Sequence, residues 1–104
     1  MSLIKDYVGR EIRLTEERWR HIQEHPEMSD MRSAVEETLR APEVVVQSLS
    51  DFEVRLYYRY YPNTVVSGKY LCAVVKAPAG DAFLVTAYLT DRVKKGDVLW
   101  RRKP

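Results

Sequence analysis

What this sequence has little of narrows it early. It has one cysteine, Cys72, so it can build neither an internal disulfide framework nor a cysteine-based structural zinc site. It has only two histidines, His21 and His25. Four Gly and five Pro in 104 residues exclude a collagenous or low-complexity chain. No stretch approaches the roughly 20 apolar residues that cross a bilayer. The opening Met1-Ser2-Leu3 runs into Ile4, Lys5 and Asp6, which is no signal-peptide core. What is present suits one small cytoplasmic domain spanning residues 1–104, with 45% hydrophobic residues, enough for a single core.

The net charge of +2 hides an asymmetry. Residues 1–50 carry seven Lys/Arg against ten Asp/Glu, and residues 51–104 carry ten against five. A basic C-terminal half fits an anionic partner, nucleic acid first, and equally fits a dipolar surface that only keeps the protein dissolved.

Ile12 and Leu14 alternate with charges, as in a short strand or extended lead-in. Thr15 followed by Glu16 and Glu17 is a helix-start signal, because a hydroxyl cap and early acids suit the positive end of the helix dipole. The helix is expected from Glu16 to about His25, stopped by Pro26, with Trp19 and Ile22 inward. Ser29 or Asp30 can cap a second helix reaching Arg40, with Met31, Ala34, Val35, Thr38 and Leu39 as its apolar stripe. Beyond Pro42 the texture is that of strands. Val44-Val45-Val46 is β-branched, and residues 52–61 alternate with period two. Further strands are expected over Lys69–Lys76 and Ala82–Leu89, with a short return at Val98-Leu99-Trp100. The fold class expected is α+β: two N-terminal helices packed on one face of a four-stranded antiparallel meander sheet.

In residues 52–60 the simplest buried set is Phe52, Val54, Leu56 and Tyr58. Arg55, Tyr57 and Arg59 then share the open face with Leu84, Thr86 and Tyr88. Such a face suits phosphate and base contacts, since Arg and Lys neutralise phosphates and Tyr stacks on bases. It is also what an ordinary solvated antiparallel face looks like. His21 and His25 stand four apart, on one helix face if the helix reaches both. A metal pair would need a third ligand, and His-Ile-Gln-Glu-His lacks the metalloprotease order. Acid–base chemistry is the second option, and plain packing with a C-terminal cap the third. Cys72, inside Tyr70-Leu71-Cys72-Ala73-Val74-Val75, reads as a buried, inert thiol.

Several segments together resemble a known family. Arg18-Trp19-Arg20-His21-Ile22, His25-Pro26-Glu27 and the apolar helix ending near Pro42 come first. Leu56-Tyr57-Tyr58, Tyr70 to Lys76, Phe83 to Thr90, Lys94-Lys95-Gly96 and Leu99-Trp100 follow. In this order they resemble the small phage and bacterial domains of the barnase–EndoU–colicin–RelE-like nuclease superfamily. The resemblance implies a metal-independent endoribonuclease, toxin- or effector-like, that cuts RNA by attack of the 2′-hydroxyl on the adjacent phosphorus. It implies His21 as acid or base, Lys76 and Arg59 as stabilisers of the phosphorane, and Thr86 and Tyr88 as phosphate-positioning groups, with His25 accessory. Arg55, Tyr57, Arg59, Lys94 and Lys95 would contact RNA. It implies no cofactor and no metal, and an antitoxin or immunity protein as partner. A non-catalytic RNA-binding module and a protein-interaction domain that uses its tyrosine-rich strand are the alternatives.

Overall fold

Thr15 opens the first helix as its chemistry requires: its hydroxyl accepts the Arg18 N–H at 3.1 Å. In the computed structural model, which describes residues 2–104, this helix, α1, spans Glu16–Gln23. It buries Trp19 and Ile22 and stops two residues before His25. His25 is extended and leads into a 3-10 turn, Pro26–Met28. The second helix, α2, spans Arg32–Arg40 and buries Val35, Thr38 and Leu39. It follows Met31, with no side-chain cap from Ser29 or Asp30.

Seven strands make one mixed sheet, not a four-stranded antiparallel meander. In chain order they are β1 (Ser2–Lys5), β2 (Glu11–Leu14), β3 (Val44–Gln47), β4 (Val54–Thr64), β5 (Ser67–Lys76), β6 (Phe83–Thr90) and β7 (Asp97–Arg101). The spatial order is β1-β2-β6-β5-β4-β3-β7. The expected antiparallel run β3-β4-β5-β6 is present, but it is only part of the sheet. The expectation missed that β1 and β2 join this run along β6 and that β7 extends it beyond β3. The β1–β2 hairpin joins along β6, with β2 parallel to it through Arg13 and Phe83. On the other side β3 pairs with β4 and β7 pairs with β3, both antiparallel. β1, β2 and β7 have four or five residues each, too short for alternation to say which strand each pairs with.

Both sheet faces carry apolar clusters. On the helix side Ile12, Leu14, Trp19, Ile22, Val35, Leu39, Val45, Tyr57, Leu71, Ala73, Val75, Leu84 and Ala87 form the main core. Full burial of each large aliphatic there is worth about 1.5–3 kcal/mol. On the opposite side Val44, Val46, Leu56, Tyr58 and Cys72 form a second, smaller cluster, with Val54, Tyr70, Val74, Tyr88 and Val93 packed against it.

This reverses the expected facing of β4. Tyr57 points to the helices, and Leu56 and Tyr58 point away. A strand has a side-chain period of two, so the reversal moves every member of the set. Tyrosine permits it, because its ring can be buried wherever the hydroxyl finds a partner. In β6 the outcome is mixed. Val74 pairs with Thr86 and Val75 with Leu84, leaving Val85 as the extra residue of a bulge. The bulge sends Leu84 into the helix-side core, while Thr86 and Tyr88 stay on the opposite face.

Candidate functional site

The structure splits the ten residues singled out from the sequence between the two sides of the sheet. His21, His25, Arg55, Tyr57 and Arg59 belong to the helix side. His21 is exposed on α1 and lies 3.5 Å from Glu24. His25, outside the helix, lies 3.8 Å from Glu27. The two imidazoles therefore do not share a helix face, because the helix ends at Gln23. Among the described residues no cluster of three His, Cys, Asp or Glu side chains is placed to hold a metal ion.

Tyr57 is fully buried and cannot stack on a base. Its hydroxyl donates to the Asp6 carboxylate at 2.6 Å. Burial first, then that carboxylate, push its pKa far upward. Arg59 is tied to α2: it donates to the Ala41 carbonyl at 2.7 Å and lies 3.4 Å from Glu37. The same helix occupies Tyr61, whose hydroxyl reaches the Ala34 carbonyl at 3.0 Å and Glu37 at 2.7 Å. Arg55 pairs with Val75 across the strands, on the Tyr57 face. The tyrosine-rich strand is thus largely internal; of its tyrosines only Tyr60 is well exposed.

Lys76, Thr86, Tyr88, Lys94 and Lys95 lie on the other side. There a groove of about 370 Å³ is lined by Ser48, Leu49, Ser50, Val54, Leu56, Val74, Tyr88, Lys94 and Lys95. Its floor is β4, β5 and β6; one wall is the Ser48–Glu53 turn and the other the segment after β6. Tyr58 fixes that second wall, since its hydroxyl accepts the Lys94 backbone N–H at 3.1 Å. With its backbone held there, Lys94 presents its side chain, like that of Lys95, to solvent. Among the described residues neither lysine forms an ion pair. Lys76 sits directly across from Val54, at the edge of the groove. Its ammonium lies 3.1 Å from Asp51 and 3.9 Å from Glu53. The Glu53 backbone N–H and Lys76 together hold the Asp51 pKa below the usual carboxylate range.

Beneath the groove, Tyr58 and Tyr88 flank the buried Cys72. Burial pushes the thiol up to about 11, opposed by hydrogen bonding to Tyr88 and Tyr58 and by the Lys94 charge. Burial likewise raises both tyrosines. All three groups keep their protons at neutral pH, so Tyr88 can donate a hydrogen bond and Cys72 is no nucleophile.

The Ser48–Glu53 turn and its Asp51 and Glu53 carboxylates escaped the reading of the sequence, and Tyr58 was expected only as a buried residue. Ser48-Leu49-Ser50-Asp51 carries a turn composition, which was the available signal. No protein-family model, curated protein or solved structure matches the chain.

Proposed function

We propose that the chain is an RNA-directed domain that works through the groove opposite its helices, and that it is a metal-independent endoribonuclease of the kind its sequence resembles. The observation that carries this reading is an apolar-floored groove lined by Tyr88, Lys94 and Lys95, with the Asp51–Glu53–Lys76 cluster in the turn and strand end beside it. Two solvent-facing lysines attract a phosphodiester, and Tyr88 and Thr86 supply hydroxyls to orient it.

The residue roles differ from those the family resemblance implies. His21 sits beyond the sheet from the groove and takes no part. An ionised carboxylate of the Asp51–Glu53 pair accepts the 2′-hydroxyl proton. The 2′-oxygen then attacks phosphorus, the bond to the 5′-oxygen breaks, and the leaving oxygen takes a proton from solvent water. Lysine charge opposes the negative charge that builds on the phosphorane. The products are a 2′,3′-cyclic phosphate and a free 5′-hydroxyl. The site is cytoplasmic in this reading, and a chain that cuts RNA there would be held in check by an antitoxin or immunity partner.

Purified protein incubated with mixed RNA in EDTA tests the proposal. Cyclic-phosphate ends that appear with wild type and vanish in Glu53→Gln and Lys94→Ala/Lys95→Ala variants support it. A second reading, RNA binding without cleavage, is favoured by one observation: Lys76 is already flanked by two carboxylates. Uncut RNA that nevertheless binds in a lysine-dependent way would establish it.

A further inference from the structure

The turn that forms one wall of the groove is held firmly, yet it exposes its two large apolar side chains. Gln47 Nε2 donates to the Phe52 carbonyl at 2.8 Å, and the Val54 N–H to the Asp51 carbonyl at 2.9 Å. The Ser48 N–H reaches the Val54 carbonyl at 3.0 Å, and the Glu53 N–H reaches Asp51 Oδ1 at 3.0 Å. Lys76 binds the same Asp51 from the sheet. A turn so pinned does not swing its side chains inward. Leu49 is nevertheless 73% exposed and Phe52 79%. Water penalises this, and two large apolar side chains left exposed in one short turn mark a contact surface.

We infer that Leu49 and Phe52 form a stacking platform for an unpaired nucleobase of single-stranded RNA whose phosphate lies on Lys94 and Lys95. This deepens the RNA-directed reading and rests on it. The occupant follows from charge: Leu49 lines a groove that Lys94 and Lys95 also line, and Phe52 stands in the same turn. Every base has a flat π-face, so a phenyl ring binds without regard to sequence. Bases inside a duplex are already stacked on one another and cannot reach the ring. The platform therefore selects single strands, whereas the lysines alone would accept either form.

The test compares a fluorescent oligouridylate of about ten nucleotides, 2′-O-methylated so that it cannot be cut, with a 2′-O-methylated duplex of equal length. Fluorescence anisotropy is read for wild type, Phe52→Ala, Phe52→Trp and Lys94→Ala/Lys95→Ala. Phe52→Ala should weaken single-strand binding about tenfold, the scale of one missing base stack. It should leave duplex binding unchanged. Phe52→Trp should restore single-strand binding, with quenching of its indole fluorescence on addition of RNA. The high exposure of Phe52 makes both variants safe for folding. Equal single-strand affinity in wild type and Phe52→Ala, with a strong loss in the lysine variant, would overturn the platform and leave the RNA reading standing. No loss in the lysine variant would overturn both.

Discussion

The Tyr57 hydroxyl lies 2.6 Å from Asp6, which anchors the loop after β1 to the middle of the sheet. Asp6 is itself buried, and its other oxygen accepts the Val8 and Arg10 N–H groups at 3.1 and 2.9 Å. Tyr7 stacks edge-on to Tyr57 and lies 4.9 Å from Trp100 of β7, so one loop is joined to β4 and β7 together. Tyr57→Phe removes a donor from a buried carboxylate and should cost about 1–3 kcal/mol in urea unfolding. RNA affinity of the folded variant should not change. A loss of RNA binding without a loss of stability would place Tyr57 in the site after all.

Charge on the groove wall should dominate the salt dependence of RNA binding. Replacing Lys94 and Lys95 by Ala should lower the slope of log affinity against log salt by about one for each phosphate that is no longer neutralised. His21→Ala should change neither binding nor the yield of cyclic-phosphate ends, because α1 and the groove lie on opposite sides of the sheet. Loss of cleavage in folded His21→Ala would move the chemistry to the helix side.

Alkali should weaken the fold. The Cys72 thiol is raised from 9.0 to about 11 and the Tyr61 hydroxyl from 10.0 to about 12, both by burial first. Unfolded chains ionise these groups at their ordinary values, while the folded chain still holds the protons. Their contribution is therefore complete below about pH 9 and declines as pH rises through 9 to 12. Thermal melting from pH 7 to 11 should show a plateau followed by a falling midpoint. Over the lower part of that range a thiol reagent should label Cys72 only at the rate of unfolding.

Gly96 precedes β7 where the chain passes closest to β3. A Cβ there would collide with the Gln47 carbonyl oxygen and with Val46 Cγ1. Gly96→Ala should destabilise by about 1–3 kcal/mol, because one obstacle is backbone and cannot rotate away. It should also displace the Lys94–Lys95 wall, so salt-dependent RNA binding should fall together with stability. A variant as stable as wild type would show that the β3–β7 junction can relax.

How much of this was legible in the sequence differed from element to element. Thr15 and the acids after it, and the stripe from Met31 to Leu39, placed both helices to within a few residues. The long strands β4, β5 and β6 announced themselves by length and composition. Short strands around Ile12 and Val45 could be read from composition, but the place of the first in the sheet could not, since it is decided by Phe83, far along the chain. The facing of β4 was hidden for a different reason. Both of its alternating sets can be buried, one through aliphatic and the other through tyrosine side chains. Only a partner outside the strand, Asp6 for Tyr57 and Glu37 for Tyr61, decides between them. Of the candidate site, Lys94, Lys95, Thr86 and Tyr88 could be named in advance. Their separation from His21 could not, because it depends on which sheet face the helices cover.

The parallel join between β2 and β6 bears on the order of assembly. Arg13 N–H reaches the Ala82 carbonyl at 3.0 Å, and the Arg13 guanidinium grips Asp81 at 2.7 Å. These interactions close a loop that contains both helices and the strands β3 to β5. Closing so long a loop before its contents are ordered costs chain entropy that a few such bonds cannot offset. The β4–β5–β6 hairpins, closed by short turns, form early and build the groove floor. The β1–β2 hairpin is thus among the last elements to find its place, because it waits for β6 to give it an edge.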